Sequence, residues 1–235
     1  MIKQLLTIAL FSLFGHFCAG QGKSISIPLN SNGDTTFWYK YQNQKFAEMG
    51  MSNLIYSKDT MVLRFSTEIQ AVEIRTADFK TFSGTLYNFT KKYVPDSCQQ
   101  EKEKQSKLLF NKTAINKTAA RQIYETFKKL SIDTVPSQEQ IERWPMFSDG
   151  ISYVIEYATP SVYSFKSYGE PWGSRNELKE AAAIDDLVRE LKVSLPLYTS
   201  FDSFINSLPV GTYHAGGISL ITTSKESKKI RRKSR

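Results

Sequence analysis

The chain is poor in the residues that carry most protein chemistry. Its 235 residues include two cysteines and two histidines. One of each, His16 and Cys18, falls in the first twenty residues, which read as a removable leader. The remaining thiol, Cys98, has no partner for an internal disulfide, so the fold must rest on an apolar core. It sits in the polar run from Pro95 to Gln100 and reads as an ordinary loop thiol, with an intermolecular disulfide as the alternative. The remaining histidine, His214, excludes multi-histidine metal sites and HExxH chemistry; a zinc site needing several Cys and His ligands is excluded with them. The chain contains no GxSxG elbow, P-loop or GxGxxG. Neither a metal nor a cofactor is expected. After the leader no apolar run approaches the ~20 residues of a membrane-spanning helix, so none is expected.

The leader has the features of a secretory signal peptide: Lys3, an apolar stretch from Leu5 to Phe14, and small residues at Ala19 and Gly20 before Gln21. Phe17 stands where a lipoprotein signal places a small residue, which disfavours acylation of Cys18. The expectation is a secreted or periplasmic protein. The formal charge of +8 is concentrated at the end of the chain: residues 225–235 carry a net +6 and Lys3 one more, so residues 21–224 keep +1. The organisation read from this is a leader over 1–20, one α+β domain over 21–224, and a basic, disordered tail over 225–235.

Hydrophobic periodicity supplies the elements. Gly150 to Tyr168 reads as a hairpin around Ala158-Thr159-Pro160-Ser161. Tyr153, Ile155 and Tyr157 share one face, and Val154, Glu156 and Ala158 the other. Strands are also expected at 36–41, 61–66, 68–76, 81–91 and 213–222. The stretch 68–76 shifts its apolar phase between Ile69/Ala71 and Val72/Ile74, which suggests a bulge. Gly216-Gly217 suggests another. Helices are expected at 118–130, from a capping box at Ser137 through Arg143, from a second box at Ser174 through Val193, and after Thr199 or Ser200. Residues 21–34 read as an extended lead-in, and 96–107 as a loop or polar helix. The fold class is α+β: a mostly antiparallel sheet with helices packed on one face.

Candidate chemistry is thin. Glycoside cleavage needs two carboxyl groups ~5–10 Å apart; Glu156, Glu170 and Asp149 are the candidates, and the reading favoured for each is an ordinary polar-face or turn residue. Asp185-Asp186 reads as the solvated side of its helix. His214 lies in a glycine-rich segment that suits an oxyanion or ligand, or simply ends a strand. The best binding segment is Tyr168 to Gly173, with Tyr168 and Trp172 on a fixed turn; Trp144 heads a similar aromatic segment. Both segments flank the hairpin and line one groove if they lie at the same end. In the tail, Lys228, Lys229, Arg231, Arg232, Lys233 and Arg235 suit an anionic envelope surface, and the lack of aromatics argues against base stacking and so against specific nucleic-acid binding. Asn88, Asn111 and Asn116 each begin an N-glycosylation acceptor triplet. The favoured expectation is an exported, non-catalytic domain that binds a ligand, or a protein or glycan partner. A secreted hydrolase using paired carboxylates and a structural protein anchored by its tail are the alternatives.

Overall fold

The computed structural model describes residues 22–29, 32–94, 107–145, 150–216 and 219–224. The leader, Cys98, Asp149 and the basic tail lie outside these residues. The fold is α+β, built on a mostly antiparallel seven-stranded sheet. The strands in chain order are β1 (Ser24–Ser26), β2 (Met61–Ser66), β3 (Gln70–Thr76), β4 (Phe82–Lys91), β5 (Leu108–Ile115), β6 (Ser152–Ala158) and β7 (Val162–Gly169). They lie side by side in the order β1-β7-β6-β2-β3-β4-β5. Only β1 runs parallel to its neighbour, pairing Ser24 with Val162 and Ser26 with Ser164. A separate hairpin follows, β8 (Gly211–His214) with β9 (Leu220–Thr223).

The described helices are α1 (Phe37–Glu48), α2 (Lys117–Lys129), α3 (Lys179–Ser194) and α4 (Leu197–Ser207). α2 and α3 cover one face, where Ile123, Phe127, Ile184 and Leu191 meet Leu63, Phe65, Ile74 and Ile155 in the main core. α4 lies at the side of that face, joining Phe204 and Ile205 to Tyr213 of β8. α1 lies on the opposite face, where Phe46 and Met49 pack with Ala71, Tyr87 and Phe89. β4 approaches both its neighbours closely at Gly84: a Cβ there would fall 2.9 Å from Ile74 Cδ1 and 3.0 Å from Ile115 Cβ.

The hairpin matches its expected register. Ser152–Ala158 pairs with Val162–Gly169, and the Thr159 N–H closes the turn on Val162 O at 2.8 Å. Several other elements differ from expectation. Residues 36–41 are not a strand; Phe37 begins α1. Their β-favouring side chains are accommodated by stacking one helical turn apart, Phe37 on Tyr41 at 5.8 Å. The bulge near Ala71 is absent. β3 pairs residue for residue with β2 and β4, and its apolar phase shifts because Ile69 sits in the turn and Ala71 faces α1. Neither serine box caps an α-helix, neither the short one expected after Ser137 nor the long one after Ser174. Ser137 Oγ donates to the Glu139 carboxylate and accepts from the Ser167 N–H, which ties it to β7, and only a short 3-10 turn (Gln138–Gln140) follows. The Ser174 carbonyl accepts from the N–H groups of Glu177 and Leu178, closing a turn, so α3 begins at Lys179. α4 starts before Thr199, immediately after Pro196. α2 is capped by Asn116, whose Oδ1 accepts from the Ala119 N–H at 2.8 Å. The expected last strand is the β8–β9 hairpin, which turns at Gly216 with φ of +101°. β5 was not expected at all.

Candidate functional site

Antiparallel pairing brings three segments to one end of the sheet. Ser66 pairs with Val154, and Ser152 pairs with Gly169. The β2–β3 turn, the start of β6 and the end of β7 therefore lie together. The C-terminal half of α3, the junction to α4 and the β8–β9 turn close over them. Between these parts is a cleft of about 1210 Å³. Its apolar walls come from Phe65, Ile69, Tyr153, Val188, Leu191, Leu195 and Phe201, and Trp38 reaches it from α1. Its polar groups include Thr67, Glu68, Gln70, Ser152, Glu170 and Lys192.

A chain of amide hydrogen bonds centred on the buried Asn88 ties α4 to the sheet beside this cleft. Gln70 Nε2 donates to Leu197 O at 2.8 Å and to Asn88 Oδ1 at 2.7 Å. Asn88 Nδ2 donates to Ser200 Oγ at 2.8 Å and to Asn111 Oδ1 at 2.9 Å. Strands β3, β4 and β5 are thereby joined to α4 through the fully buried Asn88 and the half-buried Gln70, Asn111 and Ser200.

Glu170 stands at the mouth. Its backbone is left-handed, with φ of +42°, which for a side-chain-bearing residue is held by its surroundings. The Glu170 N–H donates to Ile151 O at 3.2 Å, and the Gly169 N–H donates to Gln138 Oε1 at 2.6 Å. The Glu170 carboxylate folds against Gly150, where a Cβ would fall 2.0 Å from its Oε1; a side chain at position 150 would displace that carboxylate. Within the cleft, Tyr153 packs on Phe65 at 5.4 Å. Burial, followed by the carboxylates of Asp185, Glu68 and Glu170, pushes its hydroxyl up to about 12.

The two aromatic segments do meet at one end of the hairpin: Trp144 Nε1 donates to Gly169 O at 3.1 Å. Their aromatic residues serve different ends. Tyr168 has no exposed surface, and its hydroxyl donates to Pro136 O at 2.9 Å. Trp144 is half-buried and tilted against Tyr168. Trp172 is exposed and meets Tyr153 edge-on at 6.2 Å. The cleft takes Pro145, Gly169 and Glu170 from these segments rather than the rings themselves. His214 is exposed, stands edge-on to Tyr93 at 5.9 Å, and lies outside the cleft lining, although Ala215 and Gly216 belong to it.

Glu156 and Glu170 are not brought together. Glu156 lies four residues along β6 from the level of Gly169 and Glu170, a separation of ~13 Å along the strand. Its side chain points to the α1 face and is fully buried. Glu156 Oε2 accepts from Arg64 Nη1 at 2.8 Å and Oε1 accepts from the Tyr163 hydroxyl at 2.7 Å. Arg64 also donates to Glu73 from Nε and Nη2, at 2.9 and 2.6 Å, and stacks on the Phe46 ring at 4.4 Å. Burial works against the charge on Arg64, but Glu156 and Glu73 outweigh it and hold the guanidinium above its ordinary value. Asp185 is buried too, against expectation, because Arg175 Nη1 and Arg189 Nε both donate to its Oδ2 at 2.9 Å.

A second buried polar group lies behind the cleft wall. Lys45 of α1 is 4% exposed and donates to Thr67 O at 3.5 Å, a long hydrogen bond. Its ammonium sits 4.7 Å from the Phe89 ring centre. Burial brings it down to about 7, with Glu68 opposing that shift and Lys91 adding to it. The buried Gln42 Oε1 and Ser66 Oγ accept and donate no hydrogen bond within the protein. Among the described residues no group of three or more His, Cys, Asp or Glu is placed to hold a metal ion, and no helix is long and apolar enough to cross a membrane.

The sequence reading named Glu170 and the segment around it. It missed Trp38, the β2–β3 turn and the α3–α4 junction, since the cleft draws on segments spread from Trp38 to Ser219 and carries no local motif. No protein-family model matches the chain, and neither the curated proteins nor the solved structures give a match.

Proposed function

We propose that this is an exported, non-catalytic binding domain of the cell envelope or extracellular space, and that its ligand is a small molecule with an apolar body held in the cleft at the sheet end. The observation that carries the reading is the cleft's construction. Its walls are largely apolar side chains of the main core, with polar groups such as Glu68, Ser152 and Glu170 set among them, which is the usual design of small-molecule sites. Glu156 is engaged by Arg64 and Tyr163, far from Glu170, which speaks against that pair as a hydrolytic centre. The leader pattern supports export.

The test uses N-phenyl-1-naphthylamine, a neutral apolar probe that fluoresces when removed from water. The expected result is saturable binding with one probe per chain. Ala215→Trp and Ser152→Trp place an indole in the cleft and should each weaken it about tenfold, ~1.4 kcal/mol, with the unfolding midpoint unchanged. Absence of saturable binding, or full binding by both variants, overturns the proposal.

A further inference from the structure

Resting on that reading, we infer that the cleft selects ligands whose apolar body carries a cationic group, an amine or quaternary ammonium, received at the mouth by Glu170 with Glu68 as the second carboxylate. Glu170 has a left-handed backbone just before the 3-10 turn at Pro171–Ser174, and its carboxylate lies against the bare backbone of Gly150 on the cleft lining. Glu68 borders the same space from the β2–β3 turn, where a Cβ on Gly216 would fall 3.2 Å from its Oε2.

Burial and then Asp185 disfavour a negative charge on the Tyr153 hydroxyl, and Glu68 and Glu170 act in the same direction; the field of these carboxylates favours a positive charge on a ligand. Asp185 is paired with Arg175 and Arg189, and Glu68 acts on the buried Lys45 as well. Aromatic faces at Trp38, Tyr153 and the exposed Tyr198 suit an ammonium group, particularly a quaternary one that gives up little hydration. Lys192 is the one cation among the lining residues. It stands exposed on the last turn of α3, where its long stem lets the charge move into solvent.

The experiment is displacement of N-phenyl-1-naphthylamine by three compounds of equal chain length, each below its micelle concentration: decyltrimethylammonium, decanol and decanoate. The cation is expected to displace the probe at about tenfold lower concentration than decanoate, with decanol between them. Raising salt from ~0.01 M to ~0.5 M should narrow that gap, because the Debye length falls from ~30 Å to under 8 Å. Glu170→Gln and Glu68→Gln should each narrow it as well, the ratio in each variant being taken against that variant's own probe affinity. Equal displacement by cation and anion, preference for decanoate, or a gap untouched by salt and by both variants overturns the inference. In those three outcomes the probe still binds, so the apolar cleft survives; failure of the probe to bind removes the cleft reading and this inference together.

Discussion

The two faces of the central sheet are made by alternate residues of the same strands, and they are held in opposite ways. Met61, Leu63 and Phe65 of β2 enter a continuous apolar core with α2 and α3. Val62, Arg64 and Ser66 of that strand face α1, where buried charges and amides are interleaved with apolar groups. The first face depends on volume and area, and each large side chain lost there costs ~2–5 kcal/mol. The second depends on pairing, because a charge kept from water is tolerable only while its partners stay in place. A period-two pattern with polar residues on one side therefore does not mean that this side is wet. In this fold a helix covers it.

The largest effect should come from breaking the pairing. Arg64→Met leaves Glu73 and Glu156 facing each other without their shared cation, at an expected cost of ~3–5 kcal/mol in urea unfolding. Adding Glu73→Leu, Glu156→Leu and Tyr163→Phe converts that patch to the chemistry of the other face and should recover most of the loss. If Arg64→Met alone is neutral, the contrast between the faces fails.

A smaller effect, opposite in sense, is expected at Lys45. In the unfolded chain this amine titrates near 10.5, and in the fold near 7. Between those values the unfolded state holds more protons, so stability rises with pH across that window. The ammonium's full penalty is present below it. Lys45→Met should flatten this dependence, removing a slope of up to ~1.4 kcal/mol per pH unit. The check is the difference in unfolding free energy between wild type and variant from pH 6 to 9. A constant difference would mean that Lys45 keeps its proton in the fold.

The smallest effect belongs to charge outside both faces. Arg121 and Glu125 form an exposed pair one turn apart on α2, at 2.8 Å. Glu125→Gln should cost no more than ~0.5 kcal/mol, and less in high salt. A loss comparable to that of Arg64→Met would show that burial is not what separates these ion pairs.

The elements legible in the sequence were those whose periodicity matched their burial. The β6–β7 hairpin, β2 and α2 each present a regular apolar side to the core. α1 was misread because its first residues are Phe37, Trp38, Tyr39 and Tyr41, strand-formers by propensity, and because two residues it buries, Gln42 and Lys45, are polar. No apolar stripe announces such a helix. β5 was missed because it is an edge strand in which only Leu108 and Ile115 are buried. The cleft was the least legible part. Glu170 was named from its setting in a turn, but what gives it a role is the arrival of α3, α4 and the β8–β9 turn above it, a matter of long-range packing.

The amide chain beneath α4 bears on a modification the sequence invites. Asn88, Phe89 and Thr90 form an acceptor triplet, and all three are buried. The atom that would carry the sugar, Asn88 Nδ2, is engaged by Asn111 and Ser200. Attachment of an oligosaccharide at Asn88 and closure of the fold are therefore mutually exclusive fates. In any compartment that glycosylates, a chain bearing sugar at Asn88 records that the transferase reached it before β4 was sealed, and occupancy of that one site becomes a clock for folding.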